Sequence, residues 1–238
     1  MVKLTFKDRL RKVKHAYKYF MRVFISKKEL GYCGQNSILE PPVWIESPQN
    51  VYLANCACIR HNCQIINSPA EKVIIKSYSV LAADVKIITN SHRSTVGIPQ
   101  FILGAMHIND KSADVIIDED VWVGAGATIL PGVHLGRGCI VAAGAIVSKS
   151  VPPYALVAGI PARIIAKIFS IEDVLEHEKQ LYKEKDRISK EELRKIYDAY
   201  FLEKKVYGVS GVMDEETQKR VAERKTQRHI EAQEIPNI

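Results

Sequence analysis

Aliphatic residues recur at every sixth position through the middle of the chain. They stand at Leu53, Ile59 and Ile65, then at Ile75, Leu81 and Ile87, and after an interruption at Ile117, Val123, Ile129, Leu135, Val141 and Val147. A step of six fits neither the 3.6-residue helix nor the two-residue alternation of a simple strand. It fits a three-sided coil in which each flat side takes about six residues and about eighteen close one turn. Each short strand then points its aliphatic residue inward, stacked on its equivalent in the next coil at a strand spacing of about 4.8 Å. No coil buries that residue alone, so stability comes from neighbours, as in other solenoids. Gly124, Gly136 and Gly144 fall where corners are expected and are read as positions of positive φ. The pattern predicts an all-β solenoid over residues 33–167.

The register breaks twice. Four extra residues separate Ile65 from Ile75, which places a small loop around Ser68-Pro69-Ala70-Glu71. Ile87 and Ile117 lie thirty residues apart, twelve more than one turn needs, so residues 91–114 leave the prism as a protruding loop. Long loops on a rigid scaffold are where binding groups tend to sit.

Both ends read as helical. Leu4, Leu10, Val13, Tyr17, Phe20 and Phe24 recur at helical spacing among basic residues, predicting an amphipathic helix within residues 1–32. A C-terminal helical extension, residues 168–238, follows Val151-Pro152-Pro153. Ser170 is placed to N-cap a helix over Ile171–Lys185, Ser189 with Glu192 forms a second capping signal, and a third helix is expected over Asp214–Gln233.

Charge sharpens this division. The net charge of +7 is concentrated in residues 1–28, which hold ten Lys or Arg against the single acid Asp8. Residues 29–169 hold ten of each sign, so no nucleic-acid-binding surface is expected over the main domain. A basic amphipathic helix can instead lie on an anionic membrane, cap the prism end or pack against a partner subunit, so peripheral membrane contact through residues 1–28 is one expectation among these. No run of 18 apolar residues exists and no signal peptide precedes the first charged cluster, so a cytoplasmic chain is expected. The five cysteines, Cys33, Cys56, Cys58, Cys63 and Cys139, form no CxxC pair and read as reduced structural thiols.

Several segments resemble the hexapeptide-repeat acetyltransferases. They are Ile117-Asp-Glu-Asp-Val-Trp122-Val-Gly124-Ala-Gly-Ala-Thr-Ile-Leu-Pro131-Gly132-Val, Ile146-Val-Ser148-Lys149-Ser-Val-Pro-Pro153, and Val157-Ala-Gly159-Ile-Pro161-Ala-Arg163. Thr89-Asn-Ser-His92 ends a coil where that family places its catalytic histidine. The resemblance spans roughly residues 35–167 and is closest to maltose, galactoside and polysaccharide O-acetyltransferases. It implies a left-handed parallel β-helix, a homotrimer, and acetyl-CoA as co-substrate in a cleft between adjacent subunits, with no metal. Residue by residue, it implies His92 as general base, with His107 as rival, and Asn62, thirty residues earlier, as an acceptor-orienting amide. A corner asparagine bonded to its own backbone is the plainer reading of Asn62. CoA contacts are implied at Trp122, Ala125, Ala143, Ser148, Lys149 and Arg163. A further basic contact found in some relatives would fall on Ala166, where Lys167 is the nearest substitute.

Transfer of an acetyl group from a thioester to an alcohol needs a base for the hydroxyl proton and donors for the tetrahedral oxyanion. Histidine suits the first task because it titrates near working pH. The expected activity is O-acetylation of a sugar or polysaccharide precursor. Alternatives are N-acetylation of an amino-sugar nucleotide, serine or an antibiotic, a metal-dependent hydratase needing three clustered histidines, and a non-catalytic assembly protein. The acceptor, the group orienting His92 and the purpose of both helical ends are open at this point.

Overall fold

The computed structural model describes residues 6–209, 211 and 214–227. Three parallel sheets wrap around one core. The first face stacks Tyr32–Cys33, Val51–Leu53, Val73–Ile75, Val115–Ile117 and His134–Leu135. The second stacks Ile38–Leu39, Cys58–Ile59, Val80–Leu81, Trp122–Val123 and Ile140–Val141, then Ala155–Ala158 and the antiparallel Arg163–Lys167. The third stacks Trp44–Ile45, Gln64–Ile66, Lys86–Ile88, Thr128–Ile129 and Ile146–Val147. This is the left-handed parallel β-helix that the six-residue step and the resemblance lead one to expect.

All twelve periodic aliphatics point inward, and each is at most 1% exposed. Their register is that of the stack: Leu53 pairs with Ile75, Ile75 with Ile117, and Ile117 with Leu135. A second inward set lies two residues earlier. Ala57, Cys63, Ser79, Val85, Val121, Ala127, Val133, Cys139 and Ala145 are buried as well, and their small size lets the three walls approach. An additional first coil is present, in which Cys33, Leu39 and Ile45 pair with Leu53, Ile59 and Ile65.

The corners correct one expectation. Gly144 has positive φ, but Gly124 and Gly136 do not. Their requirement is closeness: a Cβ on Gly124 would stand 2.5 Å from the Ala143 nitrogen, and one on Gly136 2.5 Å from the Pro153 nitrogen. Left-handed backbone falls instead on corner residues that include Asn62, Asp84 and Asp120, types that tolerate it.

Helix α1 (Phe6–Val23) leads into the first coil; residues 1–5 of the expected helix lie outside the described residues. It docks through Tyr19, whose ring lies 6.1 Å from that of Trp44, through Arg22 over the same indole, and through buried Val23. No described helix is long and apolar enough to cross a membrane. Residues 91–114 do leave the prism, carrying a short helix, α2 (Gln100–Met106). Helices α3 (Ile171–Leu181) and α4 (Lys190–Tyr200) are capped by Ser170 and Ser189, whose hydroxyls accept from the amides of Asp173 and Glu192. α3 stops four residues before the expected Lys185 because Tyr182 turns extended and its ring is buried. α5 (Glu215–Gln227) follows, and residues 228–233 of the third expected helix lie outside the described residues.

α3 and α4 are fastened to the prism by buried charge. Arg137 Nε lies 3.1 Å from Glu119 and its Nη1 3.2 Å from Glu178, while the Tyr154 hydroxyl donates to Glu178 at 2.9 Å. Buried carboxylates are tolerated when paired and hydrogen-bonded in this way. Val174, Leu193, Tyr197 and Phe201 join the same apolar core.

Candidate functional site

The long excursion is closed at its base by a two-stranded antiparallel ribbon, in which Asn90 pairs with Ser112 and Ser91 with Lys111. Extending that register by one residue sets Asp110 across from His92. His92 Nδ1 lies 2.8 Å from one Asp110 oxygen, and His107 Nδ1 lies 2.9 Å from the other. His107 arrives from the end of α2, where it caps the helix in left-handed backbone and donates its N–H to the Leu103 carbonyl at 2.9 Å. Leu103 is the one fully buried side chain among the described residues of α2. The two imidazole centres are 5.4 Å apart.

Hydrogen bonds from His107 and His92 hold the Asp110 carboxyl below the usual carboxylate range. An ionised carboxylate only accepts, so each Nδ1 carries a proton and the basic atom of a neutral His92 is Nε2. A Cβ built on Gly104 would stand 3.9 Å from that Nε2, so a bare stretch of α2 leaves the space beside it open. One donor atom each from His92, His107 and Asp110 falls within 4.8 Å of the others, a set that could also hold a divalent cation. Both imidazoles are already oriented by the carboxylate.

The remaining residues singled out in the sequence divide between edges of the prism. Ser148 and Lys149 turn from the third face to the first, the same edge that emits the His92 excursion two coils earlier. Asn62, Ala125 and Ala143 occupy the edge between the second and third faces. One chain therefore does not bring Asn62 to His92. Asn62 has φ 61° and its N–H donates to the Pro42 carbonyl at 2.6 Å, the backbone of a corner asparagine. Its exposed side chain lines a groove of about 430 Å³ with Tyr19 of α1, Trp44, Glu46 and Asp84. Ala125 and Ala143 are exposed, and Trp122 stands half-exposed on the second face beside Ala82, Ala83 and His61. Arg163 shares a groove of about 550 Å³ with Lys149 and Ser150. Ala166 is buried, and Lys167 Nζ lies 5.7 Å over the Tyr197 ring rather than beside Arg163.

Burial raises the Cys63 thiol to about 11 and pushes Cys139 up further, so neither supplies a ready thiolate. Asp110, beside His92, and Tyr19, beside Asn62, are neighbours of the candidate residues that the sequence did not indicate. The one available signal for Asp110 was its place in a loop whose two ends must meet.

Residues 114–149 match the model of the family described as bacterial transferase hexapeptide (six repeats). The chain is 36% identical over 128 residues to the "Probable macrolide acetyltransferase" of Lysinibacillus sphaericus, covering 49% of this chain and 69% of that protein. It is 29% identical over 148 residues to the galactoside O-acetyltransferase of Escherichia coli, covering 62% and 68%. Among solved structures, the hexapeptide-repeat acetyltransferase VCA0836 of Vibrio cholerae, complexed with acetyl-CoA, superposes with a TM-score of 0.57 at 20% identity, covering 70% of this chain and 91% of that one. With the six-residue stack, the inward aliphatics and these relatives together, the chain belongs to the hexapeptide-repeat acetyltransferases.

Proposed function

We propose that this protein transfers the acetyl group of acetyl-CoA to a hydroxyl of a sugar-type acceptor, such as a polysaccharide precursor, with His92 as general base. The observation that carries the reading is the 2.8 Å contact between His92 Nδ1 and Asp110, which leaves Nε2 as the proton acceptor. Nε2 takes the hydroxyl proton as the acceptor oxygen attacks the thioester carbonyl. The C–S bond breaks as the tetrahedral adduct collapses, and the imidazolium returns its proton to the CoA thiolate. The ester forms directly, with no acyl-enzyme. His107, on the far oxygen of Asp110, supports the carboxylate rather than the reaction.

The working unit is a homotrimer. His92 and Asn62 lie on different edges of one chain, so a groove between two copies is the arrangement that lets both face one acceptor. Asn62 then positions the acceptor, and the Tyr19, Trp44, Glu46 and Asp84 lining of its groove offers aromatic faces and carboxylates suited to a polyhydroxylated ring. The pantetheine arm runs past Ala125 and Ala143, beside Trp122, toward Ser148, Lys149 and Arg163, where cations meet its phosphates. The protein is cytoplasmic, with α1 resting on an anionic membrane surface.

The test is acetyl-CoA consumption against a panel of sugars, with an alkaline hydroxylamine challenge that cleaves O-acetyl esters and spares amides. His92→Ala should lower turnover by about 10²–10⁴-fold while CoA binding persists. Unchanged turnover would remove His92 from the mechanism, and a hydroxylamine-stable product would make the protein an N-acetyltransferase.

A further inference from the structure

After α4 the chain does not leave the prism. Phe201 is buried against Tyr197, their rings 4.9 Å apart and perpendicular. The Lys204 N–H donates to the Phe201 carbonyl at 3.1 Å. The following segment then pairs with the strand that carries Arg163: Lys167 N–H donates to the Lys205 carbonyl at 3.1 Å, and Tyr207 N–H to the Lys167 carbonyl at 2.9 Å. This return path brings two residues of the C-terminal extension, Tyr200 and Lys204, into the groove of Lys149 and Arg163. Tyr200 is half-exposed there. Among the described residues no carboxylate forms an ion pair with Lys149, Arg163 or Lys204. Among the described residues the Arg163 guanidinium bonds only its neighbour's backbone, Nη1 donating to the Ala162 carbonyl at 3.0 Å. Three uncompensated cations beside an accessible phenol ring are the complement of a phosphorylated purine nucleotide.

We propose that Lys204 and Tyr200 complete the acetyl-CoA site at its adenosine 3′-phosphate end, Lys204 contacting the phosphate and Tyr200 stacking on the adenine. The inference rests on the acetyl-CoA reading above and gives the C-terminal extension a part in cofactor recognition.

Calorimetric titration of the full-length protein with CoA and with 3′-dephospho-CoA tests this. Wild-type protein should prefer CoA. Lys204→Ala should weaken CoA binding about ten-fold, the loss of one charge-assisted contact, and leave dephospho-CoA nearly unaffected. Lys204→Arg should restore the preference. Tyr200→Ala should weaken both ligands alike, and Tyr200→Phe should not. An undiminished preference for CoA in Lys204→Ala, alongside weakened binding in Arg163→Ala, would overturn the inference and leave the acetyl-CoA reading intact. Failure of wild-type protein to bind either ligand would overturn both.

Discussion

Asp110 accepts from His92 through one oxygen and from His107 through the other, so a single carboxylate fixes the tautomer of the proposed base. With the carboxyl held below its ordinary range, this acceptor stays ionised throughout the pH range in which a histidine base operates. Asp110→Asn keeps the shape but replaces the carboxylate with an amide that can donate to Nδ1 and so select the wrong tautomer. Turnover should fall by at least about ten-fold with the KM for acetyl-CoA unchanged, since Asp110 touches His92 and not the cofactor. Steady-state kinetics decides it: a rise in KM at constant turnover would make Asp110 a loop-folding residue instead. Gly104 lies beside it, where a Cβ would only touch Nε2 at 3.9 Å but a longer side chain would extend into the space next to it.

Among the elements, α1 departs most from a satisfied surface. Val23 is buried against the prism and Tyr19 leans on Trp44 with its ring still half-exposed, while Leu10, Val13, Tyr17, Phe20, Met21 and Phe24 are all about half-exposed or more. These exposed residues follow the i, i+3, i+7 rule of one helix face, and Arg11 and Lys14 flank it. A second copy of so basic a helix would repel rather than cover that face, whereas anionic headgroups complement it. Wild-type protein should therefore float with vesicles of phosphatidylglycerol and not with phosphatidylcholine alone. The triple substitution Leu10→Ser, Val13→Ser and Phe20→Ser should abolish flotation without loss of fold. Equal binding to neutral vesicles, or none to either, would refute the membrane contact. Deleting the whole segment to residue 28 is a poorer test, because Val23 is buried and Ile25 belongs to the core.

The elements also explain what the sequence could reveal. The stack is legible because its inward residues are aliphatic and evenly spaced. The first coil is not, since a thiol, Cys33, opens it and eight residues rather than six separate Ile45 from Leu53. Asp110 is hidden for another reason: its meeting with His92 depends on the register of strands two residues long, too short to leave a periodic trace. The groove of Tyr200 and Lys204 arises from pairing between segments about forty residues apart, which no local pattern encodes.

For the whole molecule, the separation of edges makes a quantitative demand on the proposed trimer. If the His92 edge of one copy faces the Ala143 edge of the next, two inactive variants can restore each other. His92→Ala destroys one half of each groove, and Ala143→Arg, at an exposed position, blocks the other. Co-refolded at equal amounts, the pair should recover activity at about a quarter of the wild-type level, the fraction of interfaces that random mixing in a cyclic trimer leaves intact. Light scattering should give the mass of three chains for each variant. No recovery from a mixture proven to exchange subunits would place the complete site within one copy.

The antiparallel ribbon at Asn90–Ser91 and Lys111–Ser112 has an evolutionary consequence. Because the excursion is pinched shut where it departs, the coils above and below register only a short junction between Thr89 and Ala113, whose N–H donates to the Thr89 carbonyl at 2.9 Å. Between His92 and Asp110, which must stay at its base, the excursion can lengthen or shrink while the scaffold keeps its fold. Variation there leaves the coils that carry the scaffold, and the edges on which the other candidate residues lie, unchanged.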